Sequence, residues 1–262
     1  MNYIEFLRMR RNITWLAGVL AALALLSMIS INVNAYKVHV GADIGGPTGV
    51  DVAALFGLAL GITLIFATIV GGTLSRENET PEMARTKPFP REQIAFSFLL
   101  TDLAAILLAF VISNAFIFLI FLDFCWVVHV RASFHVGEEA GLLVTLGLGV
   151  AFMWYALVQA VSSGLRGRGG ITIGLSWAYF TILLGLSHVT LFPVPLHDLI
   201  MALNLLNPLA YMNSLTTHGD TLSASIPNSI FTLDPWLRAA IVWLIGIAAG
   251  LVASYNWKRL EF

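Results

Sequence analysis

The chain is poor in charge, nearly devoid of cysteine, and empty of nucleotide-binding signatures. Asp, Glu, Lys and Arg make up only 11% of its 262 residues, less than half the share of about 25% usual in soluble globular domains. The single cysteine, Cys125, excludes an intrachain disulfide. No G-x-x-x-x-G-K-[ST] loop occurs, and Gly71-Gly72 lacks both the lysine and the strand context, so the chain is not expected to hydrolyse nucleotide itself. An H-E-x-x-H zinc motif is also missing. A formal net charge of −1 points to no nucleic-acid partner.

What is present is apolar surface. Hydrophobic residues reach 58%, more than a soluble fold of this size can hide, so part of the solvent must be lipid. Six runs approach the roughly 20 residues needed to cross a bilayer: 14–33, 51–74, 96–128, 141–163, 171–192 and 236–256. Each is expected to be helical, because a segment in lipid must satisfy its backbone hydrogen bonds internally. The first run lacks a small-residue cleavage pattern and reads as a retained span rather than a signal peptide. The third exceeds one perpendicular crossing at about 1.5 Å per residue. Its polar start, with Ser97, Thr101 and Asp102, is expected at the interface or against other helices. The fold expected is therefore all-α, one integral membrane domain over 1–262 with six transmembrane helices.

Lysine and arginine placement orients the chain. Arg8, Arg10, Arg11, Arg76, Arg85, Lys87, Arg91, Arg166, Arg168, Lys258 and Arg259 fall on one side, against Lys37, Arg131 and Arg238 on the other. Both termini and the loop 75–95 are thus expected in the cytoplasm, in a multi-pass protein of the plasma membrane. Residues 2–13 fit either a short amphipathic interfacial helix or a plain basic flank. The outer segment 193–235 is apolar but interrupted by His197, Asp198, Asn204, Asn207 and Pro208. It reads as a re-entrant or interfacial helix before the last span. Gly57–Gly61, Gly170–Gly174 and Gly246–Gly250 are small-xxx-small pairs that permit close helix approach.

Candidate chemistry inside the membrane is sparse. Asp102, Asn114 and Gln159 form the possible intramembrane polar set. Hydrogen-bonding between helices is the expected role of Asn114 and Gln159, while Asp102 suits structure and function equally. Glu138-Glu139 begins like the E-E-x-x-x-R of intramembrane proteases, but Leu143 stands at the arginine position. His39, His129, His135, His197 and His218 lie on or near the outer face, without the i, i+4 spacing of a helical metal pair. No catalytic, cofactor or metal residue is expected on this chain.

The polar break Arg76–Arg91, RENETPEMARTKPFPR, carries the most local information. Thr80 can cap a helix, Pro81 suits its first position, and Glu82 complements the positive end of the helix dipole. Pro88 and Pro90 then stop it. The expectation is a short helix at 81–87 presenting Arg85 and Lys87 and leading into the third span.

The pattern Glu77-x-x-Thr80-x-Glu82, followed by Pro88-x-x-Arg91, resembles the loop after the second span in ATP-binding-cassette (ABC) permease subunits of the second, exporter-type class. That family carries E-x-G-T-x-E-x-L-L-x-S-x-P-x-x-R; here Glu79 replaces the common glycine, and Ala84-Arg85-Thr86 stands where leucines are frequent. The closing ASYNWKRLEF is similar to the family's terminal span and basic end. The resemblance implies a permease subunit, paired as a homo- or heterodimer with a second one and driven by cytoplasmic ABC ATPases that hold ATP and magnesium. It implies that Glu77, Thr80, Glu82, Arg85, Lys87, Pro88 and Arg91 belong to the ATPase-coupling interface. An ion-coupled secondary transporter using Asp102 or the outer histidines is the alternative, although no inverted repeat is found. A membrane-embedded enzyme or sensor scaffold is the third reading.

Overall fold

A computed structural model describes residues 3–38, 52–73, 91–128, 140–165, 169–187, 194–208, 211 and 234–259. Of the coupling loop expected at 75–95, residues 75–90 lie outside them, and 91–95 form the start of the third helix. The regular elements among the described residues are all helical: α1 (Tyr3–Val38), α2 (Val52–Thr73), α3 (Arg91–Val128), α4 (Ala140–Gly164), α5 (Gly169–Ser187), α6 (Val194–Leu203), a 3-10 turn at Asn204–Leu206, and α7 (Pro235–Arg259).

Five of these helices are long and apolar enough to cross a membrane: α1, α2, α3, α4 and α7. The chain is a multi-pass helical membrane protein. Its surface agrees: Trp126 is 81% exposed, Trp15 70% and Leu251 67%. Side chains of that size facing water over whole helices would drive aggregation, whereas lipid tails accept them without cost.

Two elements differ in extent from the sequence expectation. Residues 3–13 form no separate interfacial helix but continue into the first span as one 36-residue rod. At about 1.5 Å per residue the rod is about 54 Å long, well beyond a hydrocarbon core of about 30 Å. The third span begins at Arg91, immediately after the Pro88-Phe89-Pro90 stop, and runs unbroken for 38 residues. Proline is well tolerated just before a helix start and poorly inside one, which fixes that boundary.

Packing contacts set the helix directions. Phe56 meets Gly147, and Trp154 bonds Thr68, so α2 and α4 run the same way. Trp243 meets Thr145 near one end while Asn256 meets Ser163 near the other, so α7 is parallel to α4 as well. Asp102 pairs with Tyr155 and Phe110 with Gly147, which makes α3 antiparallel to α4. Gly72, beside the Gly71–Val158 contact, meets Ile173, and Trp154 meets Phe180, so α5 is antiparallel too. α4 is the hub. Its Val150, Ala151, Met153, Tyr155 and Val158 are fully or almost fully buried.

Lipid is as apolar as leucine, so these helices associate through close packing rather than water exclusion. Glycines supply the space. A Cβ on Gly149 would sit 2.8 Å from the Trp243 indole nitrogen, and one on Gly246 would sit 2.7 Å from the Phe152 ring and 3.1 Å from the Met153 Cα. Gly71 and Gly72 serve the same purpose against Val158 and Ile173. Gly250, by contrast, faces open space. Gly246→Ala should therefore destabilise the bundle by about 1–3 kcal/mol, while Gly250→Ala should be near neutral. Thermal unfolding of both variants in detergent micelles checks this, and equal midpoints would contradict the close-approach account.

Candidate functional site

Inside the bundle, polar side chains first look to their own helix. Thr63, Thr68, Thr101 and Thr145 each donate to the carbonyl four residues back. Asn114 does the same, to Phe110 at 2.8 Å. A hydroxyl or amide bonded in this way leaves little polar surface facing lipid.

Asp102 cannot follow this route, because a carboxylate has no donor. It sits on α3 eleven residues after Arg91 and is only 2% exposed. The Arg8 guanidinium of α1 donates to its Oδ1 at 2.7 Å. From α4, the Tyr155 hydroxyl donates to Oδ2 at 2.8 Å. The Gln159 amide, one helical turn further on, donates to that hydroxyl oxygen at 3.2 Å. Every proton in the chain Gln159→Tyr155→Asp102←Arg8 points toward the carboxylate. Such polarity suits a negative charge held in place, and the low local dielectric strengthens each bond.

Beside this cluster the neighbouring residue of α4 turns the other way. The Trp154 indole donates to Thr68 Oγ1 of α2 at 2.8 Å, and its ring packs on Phe180 of α5 with centroids 3.9 Å apart. The Phe180 carbonyl accepts from Asn207 at 3.3 Å, and Asn207 also donates to Asn204 at 3.0 Å. Asn204 and Asn207 are fully buried where the α6 helix breaks. Tyr179 and Tyr211 donate to the carbonyls of Leu203 and Leu205 that the break sets free. Adjacent residues of α4 thus join an ionic cluster shared with α1 and α3 to an amide cluster shared with α5 and the broken helix.

Of the residues proposed from sequence, Asp102 and Gln159 come together, bridged by Tyr155. Asn114 stays apart, bonded within α3. Glu77, Thr80, Glu82, Arg85, Lys87 and Pro88 lie outside the described residues; Arg91 is the first residue of α3. Reading the sequence missed Arg8 as a partner, since three nearby arginines look alike as a basic flank. It also missed Asp123, a further acid in α3 whose Oδ2 is buried without a hydrogen-bond partner. The 21-residue step from Asp102 to Asp123 is about 31 Å of helix, close to the hydrocarbon thickness. The twenty residues between them carry no charge. The acids therefore bracket the apolar section of α3. Among the described residues, no group of three His, Cys, Asp or Glu is placed to hold a metal.

No protein-family model, curated protein or solved structure matches this chain.

Removing one member of the buried pair leaves the other uncompensated. Asp102→Leu should cost about 3–5 kcal/mol, and the double variant Arg8→Met with Asp102→Leu should recover most of that loss. Tyr155→Phe, which removes one bond to a charged group, should cost about 1.5–3 kcal/mol. Unfolding titrations in mixed micelles measure all three. A double variant as unstable as Asp102→Leu would show that the pair is not what matters.

Proposed function

We propose that this chain is the transmembrane subunit of an ABC transporter of the exporter-type class, with ATP hydrolysis on a separate cytoplasmic ATPase. The observation that carries the reading is the loop pattern Glu77-x-x-Thr80-x-Glu82, with Pro88-x-x-Arg91, placed directly before an unbroken 38-residue helix. A proline-ended loop fused to a rigid rod is a suitable lever. Force applied at the loop would travel along α3 to Asp102, and from there to α1 and α4.

The alternating directions of α2, α3, α4, α5 and α7 support six crossings, with α5 as the fifth although its apolar stretch is short. Both termini then lie in the cytoplasm, as the arginine and lysine distribution favours. The broken helix α6 precedes the last crossing and fits the re-entrant segment expected of such a subunit. A substrate path would form at the interface with a second permease subunit in the plasma membrane. The chain itself would carry no cofactor and no catalytic residue.

The ion-coupled carrier is the second reading, favoured by a buried acid in a span. Against it, both Asp102 oxygens already hold donors from Arg8 and Tyr155. Transport that survives collapse of the ion gradient but stops when ATP is depleted would separate the two.

Reversing the loop charges with Glu82→Lys and Arg85→Glu should abolish co-purification of an ABC ATPase, or uncouple its ATP hydrolysis from transport, while the spans stay folded. A variant that retains its ATPase and transports normally would refute the assignment of the lever.

A further inference from the structure

The helices of the bundle are not held equally. In α2 and α4, 61% and 56% of the membrane-length stretch is buried, whereas in α1 the share is 11%. Among the described residues of α1, only Arg8, Leu20 and Ala24 are buried. Met9, Ile13 and Leu16 pack half-buried against the core. Its main neighbour is α3. α7 is also largely peripheral, but it is keyed into α4 by the Gly246–Phe152 approach and by the Trp243 and Asn256 hydrogen bonds. On α1 the corresponding small residue, Gly18, faces open space.

This difference decides what keeps α1 in place. Leu20 and Ala24 can exchange α3 for lipid tails at little cost, since both surroundings are equally apolar. The Arg8–Asp102 pair cannot make that exchange, because lipid offers neither a counter-charge nor a hydrogen-bond partner.

A released state is nonetheless chemically accessible. Arg8 lies five residues from Tyr3, near the end of α1, and its long side chain can reach the aqueous boundary by snorkelling. Asp102 would keep the Tyr155 donor on its other oxygen. Asp102 also stands at the end of α3's uncharged stretch rather than in its middle. Both partners therefore have a second, partial and costlier way to be satisfied, which a latch requires.

We propose that α1 is a movable helix latched to the bundle by the Arg8–Asp102 pair, so that breaking the pair frees α1 from α3 while α2, α3, α4 and α7 keep their packing. The inference does not depend on the transporter reading. It assigns to the α1–α3 seam a closed state, seen here, and an open state in which that seam faces lipid.

Pulsed electron-electron spin resonance tests it on the 262-residue chain in nanodiscs, in a Cys125→Ala background. One spin-label pair joins α1 to α7, through Trp15→Cys and Leu251→Cys; the other joins α3 to α7, through Leu107→Cys and Leu251→Cys. All three positions are at least 50% exposed. Labelled chain is diluted with unlabelled chain so that distances between copies do not contribute. With Asp102 intact, both pairs should give narrow distributions. Asp102→Asn, which keeps the shape and removes the charge, should broaden or shift the α1–α7 distribution by at least twofold in width and leave α3–α7 unchanged. A narrow α1–α7 distribution in Asp102→Asn would overturn the latch. Broadening of both pairs would overturn it as well, by making Asp102 a support of the whole bundle.

Discussion

A carboxylate inside a membrane bundle must find its donors within the protein, and at Asp102 that requirement determines how three helices meet. Thr, Ser and Asn can bond back to their own helix, so they place few demands on their neighbours. Asp102 has only acceptors, and both must be filled from elsewhere. Arg8 supplies one bond from α1 and Tyr155 the other from α4. The register of α3 against α4 and the seating of α1's first turns follow from those two bonds. Apolar packing alone would tolerate several registers, because leucine against leucine differs little from leucine against lipid.

The central helix α4 shows how one sequence serves several neighbours. Small residues at Gly147 and Gly149 admit the rings of Phe56 and Trp243. About two turns later Trp154 and Tyr155 send their polar tips in different directions, toward Thr68 on α2 and Asp102 on α3. The aromatic body of each stays buried while the donor finds a partner, the arrangement expected of Trp and Tyr in an interior. The broken helix α6 reaches the same region through Phe180. Non-helical backbone is tolerated there because Tyr179 and Tyr211 donate to the freed carbonyls of Leu203 and Leu205, while Asn207 ties the break to the Phe180 carbonyl of α5.

The apolar runs located α2, α3, α4 and α7 to within a few residues, since length and hydropathy together leave lipid as the only plausible surroundings. The interruption at Asn204–Pro208 likewise marked a broken helix. Less legible was the start of α1. Tyr3–Asn12 contains arginines that suit an interfacial segment or a flank, and local pattern does not reveal that Arg8 has an acid waiting 94 positions away. Asp102 and Gln159 stood out as polar residues in apolar runs. Tyr155 did not, because a tyrosine is ordinary in a membrane helix until its hydroxyl is seen on a carboxylate.

By itself the sequence determined that this chain lives in lipid, that its spans are helices, and where charge interrupts them, because these depend on composition and on backbone chemistry along a single segment. Only the tertiary structure decided which polar groups share a site. Pairing Arg8 and Tyr155 with Asp102 depends on how separate helices rotate and slide against one another. Nothing in any one helix encodes that rotation; it is settled where glycines let backbones approach and where a buried charge must be met.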